Sequence, residues 1–145
     1  MFRRLNEKML VAGQITPEDV AEAAGLGVRL IINNRPEGEA PDQPSGASIK
    51  AAADAAGLGY VAIPVSPAGI APPQIDAMAE ALSAADGLIL AFCRSGTRST
   101  LLWSLARARA GEDPAQLAAT AKAAGYDLTP IAPQLATIAA AARRS

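Results

Sequence analysis

Histidine is missing from this sequence altogether, and cysteine occurs once. The first absence removes a Ser-His-Asp triad, a Cys-His pair and every histidine-containing zinc site. The second removes an internal disulfide, a Cys-x-x-Cys redox pair and a cluster of thiolate metal ligands, so no metal or other cofactor is expected and a reducing compartment is the simplest setting. Aromatic residues make up only 3% of the chain, and close packing through small side chains, alanine above all, is expected instead. Lysine and arginine number 13 against 14 acidic residues, a net charge of -1. There is no basic stripe for nucleic acid and no acidic tail. Arg3, Arg4 and Lys8 are not followed by an apolar block long enough for a signal peptide or a membrane span. The expectation is a soluble, cytoplasmic protein that binds neither nucleic acid nor membrane.

What is present is a chain of 145 residues, 50% of them apolar, which fits one domain over residues 1–145 and can bury a core unaided. Short apolar segments at Phe2 to Leu5 and Met9 to Ala12 suit a small hairpin. Thr16-Pro17-Glu18-Asp19 opens a helix that Gly25 and Gly27 stop, and Val28 to Asn33 reads as a buried strand. Asn34 to Gly46 is a long loop rich in Pro, Gly and acids. Ser48 to Ala56 is helical, Tyr60 to Val65 the next strand, Ser66 to Pro73 a loop, and Gln74 to Ala85 a helix with Ile75, Met78, Ala79 and Leu82 on one face. Beyond Gly111 only helical signals remain, Asp113 to Ala124 and Thr129 to about Ala142. Strands alternating with helices point to an α/β fold, a mostly parallel sheet with helices on both faces, whose ligands bind beyond the carboxyl ends of the strands.

One such end carries the cysteine. Leu88 to Phe92 has strand length and delivers Cys93 to a Gly-containing turn, after which Thr97, Ser99 or Thr100 starts a helix. The first amides of a helix lack intrahelical acceptors and lie at the positive end of its dipole, so the loop is an anion cradle in which a thiol loses its proton readily. Cys93 is therefore the candidate nucleophile. Gly96 supplies a positive φ, Ser95 to Ser99 supply backbone amides, Arg94 and Arg98 bind an anion, and Ser99 is placed to donate to the thiolate. No carboxylate lies in sequence between Asp86 and Glu112, so the two arginines call for an external anion. Arg35 is a weaker candidate, lining the site from the neighbouring loop, and Trp103 reads as core.

Gly13-Gln14-Ile15, Ile31-Ile32-Asn33-Asn34-Arg35-Pro36, Ile63-Pro64-Val65 and the cysteine loop with Trp103, over most of Met9 to Gly111, resemble the phosphatase-like domain family associated with beta-lactamase-hydrolase-like proteins, found alone or fused to persulfide dioxygenase domains. The resemblance implies a protein tyrosine or dual-specificity phosphatase-like fold, a three-layer αβα sandwich, here with a helical C-terminal part. The loop departs from the phosphatase pattern. Phosphatases of that kind place one residue more between nucleophile and arginine; here Ser99 stands where that arginine would fall and Phe92 replaces the usual histidine. The loop Ser66 to Pro73, where a general acid is expected, has none, leaving Asp76, Asp42, Glu37 and Glu39 as substitutes.

Cys93-Arg94-Ser95-Gly96-Thr97-Arg98 is also similar to the active loop of rhodanese-type sulfurtransferases. A shorter loop suits a persulfide sulfur better than a phosphate, and sulfur transfer needs no general acid. The first functional expectation is thus a sulfurtransferase that moves sulfane sulfur through a Cys93 persulfide, with Arg98 and Arg94 holding an anionic donor such as thiosulfate or a persulfide and a persulfide dioxygenase as partner. The alternative is a cysteine-dependent phosphatase acting on a phosphoester.

Overall fold

The computed structural model describes residues 2–144; Met1 and Ser145 lie outside the described residues. Two short strands, β1 (Phe2–Asn6) and β2 (Met9–Ala12), form the expected hairpin. Helix α1 (Pro17–Gly25) starts where Thr16 and Asp19 exchange side-chain and backbone hydrogen bonds in a capping box, with Pro17 in the first turn. Then come β3 (Val28–Asn33), α2 (Gly46–Ala56), β4 (Gly59–Ala62), α3 (Pro72–Ala84), β5 (Leu88–Phe92) and α4 (Thr97–Arg109). The tail is α5 (Pro114–Ala123) and α6 (Ala132–Arg143), joined by a turn that ends in a 3-10 segment, Thr129–Ile131.

The strand predicted over Tyr60 to Val65 is shorter in the sheet. The ladder of β4 ends at Ala62, because Pro64 has no N–H to give. The next residues still run alongside β3: Ile63 donates to Asn33 O and Val65 to Asn34 O, both at 2.9 Å.

The sheet order is β1-β2-β5-β3-β4, with β1 antiparallel and the rest parallel. Successive residues of the central strands face opposite layers. Met9, Val11, Ile89 and Ala91 pack with α3, α4, α5 and α6 through Met78, Leu102, Leu117 and Leu135. Leu10, Ala12, Leu90 and Phe92 pack with α1 and α2 through Val20, Ala23, Ile49 and Ala53. A strand covered on both faces needs apolar residues throughout, which is why LILAF carries no alternation. Among the described residues no helix is long and apolar enough to cross a membrane.

Register decides where a site can form. Ala12 and Asn33, the last residues of β2 and β3, both pair with Phe92, the last residue of β5. Three parallel strands therefore end at one level, and the chain leaving each one, Gly13-Gln14, Asn34-Arg35 and Cys93-Arg94, emerges at the same edge.

Candidate active site

Cys93 follows β5 directly and is fully buried. Its Sγ accepts a hydrogen bond from the Gly96 amide at 3.1 Å. Gly96 is the N-cap of α4 with φ of 90°, a conformation glycine adopts without strain. The amides of Thr97, Arg98 and Ser99 follow in the first turn, where no intrahelical acceptor exists for them. The strand-loop-helix cradle expected from sequence is present.

Neighbouring chain turns the loop's carbonyls away from the sulfur. Cys93 N donates to Ala12 O and Gln14 N to Arg94 O, both at 3.3 Å. That second bond draws the Arg94 carbonyl against the backbone after β2, so closely that a Cβ on Gly13 would stand 3.0 Å from Arg94 O. Carbonyl and N–H of one trans peptide point opposite ways, and the Ser95 amide is thereby directed away from Gln14. Tyr126, from the turn between α5 and α6, donates its hydroxyl to Ser95 O at 3.3 Å.

Arg98 lies in the first turn of α4 and is not waiting for an external anion. Its Nη1 donates to Glu39 Oε2 at 2.7 Å and to Val65 O at 2.6 Å, and its Nη2 to Glu39 Oε1 at 2.9 Å. The expectation drawn from the lack of acids near the loop in sequence is corrected: Glu39, remote in sequence, offsets the desolvation of this guanidinium. The Glu39 carboxylate is mostly covered, its side chain 18% exposed, although the main chain around it is open to solvent. Bonds from Arg98, with a smaller contribution from Arg35, outweigh burial and hold Glu39 at about 2. Glu39 in turn is the main reason the Arg98 pKa is raised, with burial opposing and the charge of the nearby Cys93 sulfur adding to the rise. A guanidinium has five N–H groups. Three are spent on Glu39 and Val65, leaving the Nε–H and one Nη2–H outside these bonds.

Arg35 is brought to the site, though through Glu39 rather than through the sulfur. Its side chain is 5% exposed, Nε donating to Glu39 Oε1 at 2.9 Å and Nη1 to Gln14 Oε1 at 3.0 Å. Gln14 and Glu39 are thus the site's supports. Gln14 was part of the motif that carried the family resemblance, and Glu39 was one acid among four. The other three do other work or none at this site: Asp76 on α3 pairs with Arg109, Glu37 accepts from Gly46 N at 3.0 Å, and Asp42 is exposed.

The remaining candidates divide. Arg94 and Thr97 are exposed, and Ser95 Oγ bonds Thr97 Oγ1 at 3.0 Å on the outer side of the loop. Ser99 is fully buried, but its Oγ has no hydrogen-bond partner among the described residues, so the expected donation to the sulfur is corrected: the donor to Sγ is the Gly96 amide. Trp103 is core, as expected.

Known proteins share this sequence pattern and fold. A protein of Agrobacterium fabrum called beta-lactamase hydrolase-like protein is 37% identical over 126 residues, 86% of this chain. The chain spans only 29% of the length of that relative. A crystal structure from Neisseria meningitidis, provisionally described as a phosphatase, superposes with a TM-score of 0.83 at 33% identity and covers 94% of this chain and 96% of its own. The P. aeruginosa protein TpbA, crystallised with phosphotyrosine, shares the fold with a TM-score of 0.68 at 15% identity over 99% of this chain and 91% of its own. The sequence profile of the beta-lactamase hydrolase-like protein, phosphatase-like domain, matches residues 1–110. By that match and by its curated relatives, this chain belongs to the family of phosphatase-like domains of beta-lactamase hydrolase-like proteins.

Proposed function

We propose that the protein is a cysteine-dependent hydrolase of phosphate monoesters. The observation that carries this is the arrangement at the end of β5. Cys93 Sγ accepts from the Gly96 amide at the start of α4, and Arg98, in the first turn of that helix, is held by Glu39 and Val65 with its Nε–H and one Nη2–H unspent and close enough to the sulfur for the Cys93 charge to raise its pKa. Family membership and the phosphatase-like fold support the same reading, which displaces sulfur transfer as the first choice.

In the first step the Cys93 thiolate attacks phosphorus. An S–P bond forms, the bond to the leaving oxygen breaks, and the loop amides with the Arg98 edge hold the non-bridging oxygens as their charge redistributes. In the second step water attacks phosphorus, releases orthophosphate and returns the thiolate. Glu39 stays ionised at neutral pH and its oxygens are engaged by two guanidiniums, so it does not protonate the leaving oxygen. That proton comes from water, and substrates whose leaving group is already a weak base are favoured. Hydrolysis of an aryl phosphate by the wild type, lost in Cys93→Ser, is the expected result; equal turnover by the two proteins sinks the proposal.

That Glu39 is ionised and engaged is what keeps a second reading alive. In sulfur transfer the same thiolate attacks the outer sulfur of thiosulfate, an S–S bond forms on Cys93, and sulfite leaves without needing a proton. A persulfide donor, with a dioxygenase downstream, fits equally. Thiocyanate production from thiosulfate and cyanide without any phosphate release selects this reading over the first.

A further inference from the structure

We propose that Tyr126 is a positioning residue for the anion loop: its hydroxyl holds the Ser95–Gly96 peptide with the amide facing Cys93. The proposal deepens the hydrolase reading, resting on it only in taking this loop as the oxyanion seat. Two observations meet in one planar group. Tyr126 O–H donates to Ser95 O at 3.3 Å, and the N–H of that same trans peptide donates to Cys93 Sγ at 3.1 Å. Carbonyl and amide point opposite ways in such a unit, so fixing one aims the other.

The peptide needs holding because glycine follows it. At Gly96 no Cβ hinders rotation of the plane, and a turn of half a revolution would present Ser95 O, a partial negative charge, to the sulfur and to any bound oxyanion. The preceding peptide is held by Gln14 N on Arg94 O, and the next turns belong to α4. Among the described residues, Ser95–Gly96 is the one link of the loop whose outer hold comes from the tail, beyond residue 110 where the family match ends.

Tyr126 is itself firmly placed. Its amide donates to Ala121 O at 2.9 Å, Arg3 lies with its guanidinium carbon 5.7 Å from the ring centroid, and Arg3 Nη1 donates to Ala124 O at 2.8 Å. Burial raises the pKa of the phenol, with Arg3 opposing and the Cys93 sulfur adding to the rise, so the hydroxyl keeps its proton and remains a donor.

The test compares the full-length wild type with Tyr126→Phe, which loses only the hydroxyl, and Tyr126→Leu, which also loses the ring. Orthophosphate binding is measured by calorimetry and the Gly96 amide by nitrogen-proton correlation. Expected are an affinity about tenfold weaker in Tyr126→Phe, an upfield shift or broadening of the Gly96 amide proton, and an unchanged fold. Orthophosphate affinity and a Gly96 signal unchanged in Tyr126→Phe overturn the proposal, and so does a defect confined to Tyr126→Leu, which makes the ring mere packing. If the wild type binds orthophosphate in a Tyr126-dependent way but hydrolyses no phosphoester, the hydrolase reading fails and this one stands. If it binds none, the Gly96 signal alone decides.

Discussion

Glu39 closes over the end of Arg98, its Oε2 2.7 Å from Nη1 and its Oε1 2.9 Å from Nη2. The same Oε1 accepts from Arg35 Nε at 2.9 Å, so one carboxylate separates two guanidiniums that would otherwise repel each other at short range. It also fastens the long loop after β3 to the first turn of α4. What remains available on Arg98 for an oxyanion is therefore an edge whose aim is set from behind.

Glu39→Gln tests that aim. The amide keeps the shape but offers one acceptor where two guanidiniums need several, and its NH2 faces donors. Loss of a charge-assisted pair of this kind costs on the order of 2 kcal/mol of stability. The aryl phosphatase kcat/KM is expected to fall roughly ten- to hundredfold, because Arg98 no longer presents a fixed edge. Steady-state kinetics beside thermal unfolding check both; a variant as active as the wild type removes Glu39 from the site.

The depressed Glu39 pKa has a sign that can be read in acid. A carboxyl at about 2 when folded and near its ordinary 4.5 when unfolded contributes stability that is fully present above about 4.5 and is lost as the pH falls toward 2. The charges facing it are Arg35 and Arg98, which stay protonated throughout, so the effect belongs to Glu39 itself. Solvent screening leaves it on the order of 1 kcal/mol. The gap in unfolding midpoint between wild type and Glu39→Gln is thus expected to narrow between pH 5 and pH 2. A gap constant over that range contradicts the pairing.

Much of the scaffold could be read from residues because local rules and tertiary packing agree. Val28 to Asn33 and Leu88 to Phe92 are strands with the bounds that their apolar runs gave, and Thr16-Pro17 starts a helix as its capping chemistry requires. The loop of Cys93 was legible because a nucleophile after a buried strand has few places to go. Its supports were not. Glu39 differs from Glu37 and Asp42 only by where a long loop folds, which no spacing encodes, and it becomes singular only once Asn33 and Phe92 end in register. Tyr126 follows Gly125, whose positive φ reads as a helix cap and gives no hint that the next side chain reaches Ser95. The helix α6 begins at Ala132, a short 3-10 turn having taken the expected start at Thr129.

Gly96→Ala addresses the loop from its backbone. At φ of 90° an alanine is strained, and its Cβ would run into the Tyr126 hydroxyl. The combined cost is about 1–3 kcal/mol of local strain, relieved most easily by turning the peptide or pushing Tyr126 outward. Either relief spoils the hydrogen bond from residue 96 to Sγ. Activity on an aryl phosphate is expected to fall by about a hundredfold or more while circular dichroism keeps its helical signature. Near-normal turnover would mean that this amide does not face the reacting group.

Leaving-group dependence probes the chemistry most directly. Glu39, the carboxylate at the site, is ionised and bound between Arg35 and Arg98 and does not protonate the departing oxygen, so the transition state carries more of its negative charge. Across a series of substituted phenyl phosphates, log kcat/KM should fall steeply as the phenol pKa rises, and alkyl phosphates should be turned over slower still by roughly a hundredfold or more, the usual contribution of general acid catalysis. Proton donation by water also implies no loss of rate as pH rises through the carboxylate range. A flat dependence on the phenol, with a rate that drops as a group of pKa near 5 ionises, would mean that an acid does reach the leaving oxygen, and Asp42, exposed on the same loop as Glu39, would then be the first residue to replace by Asn.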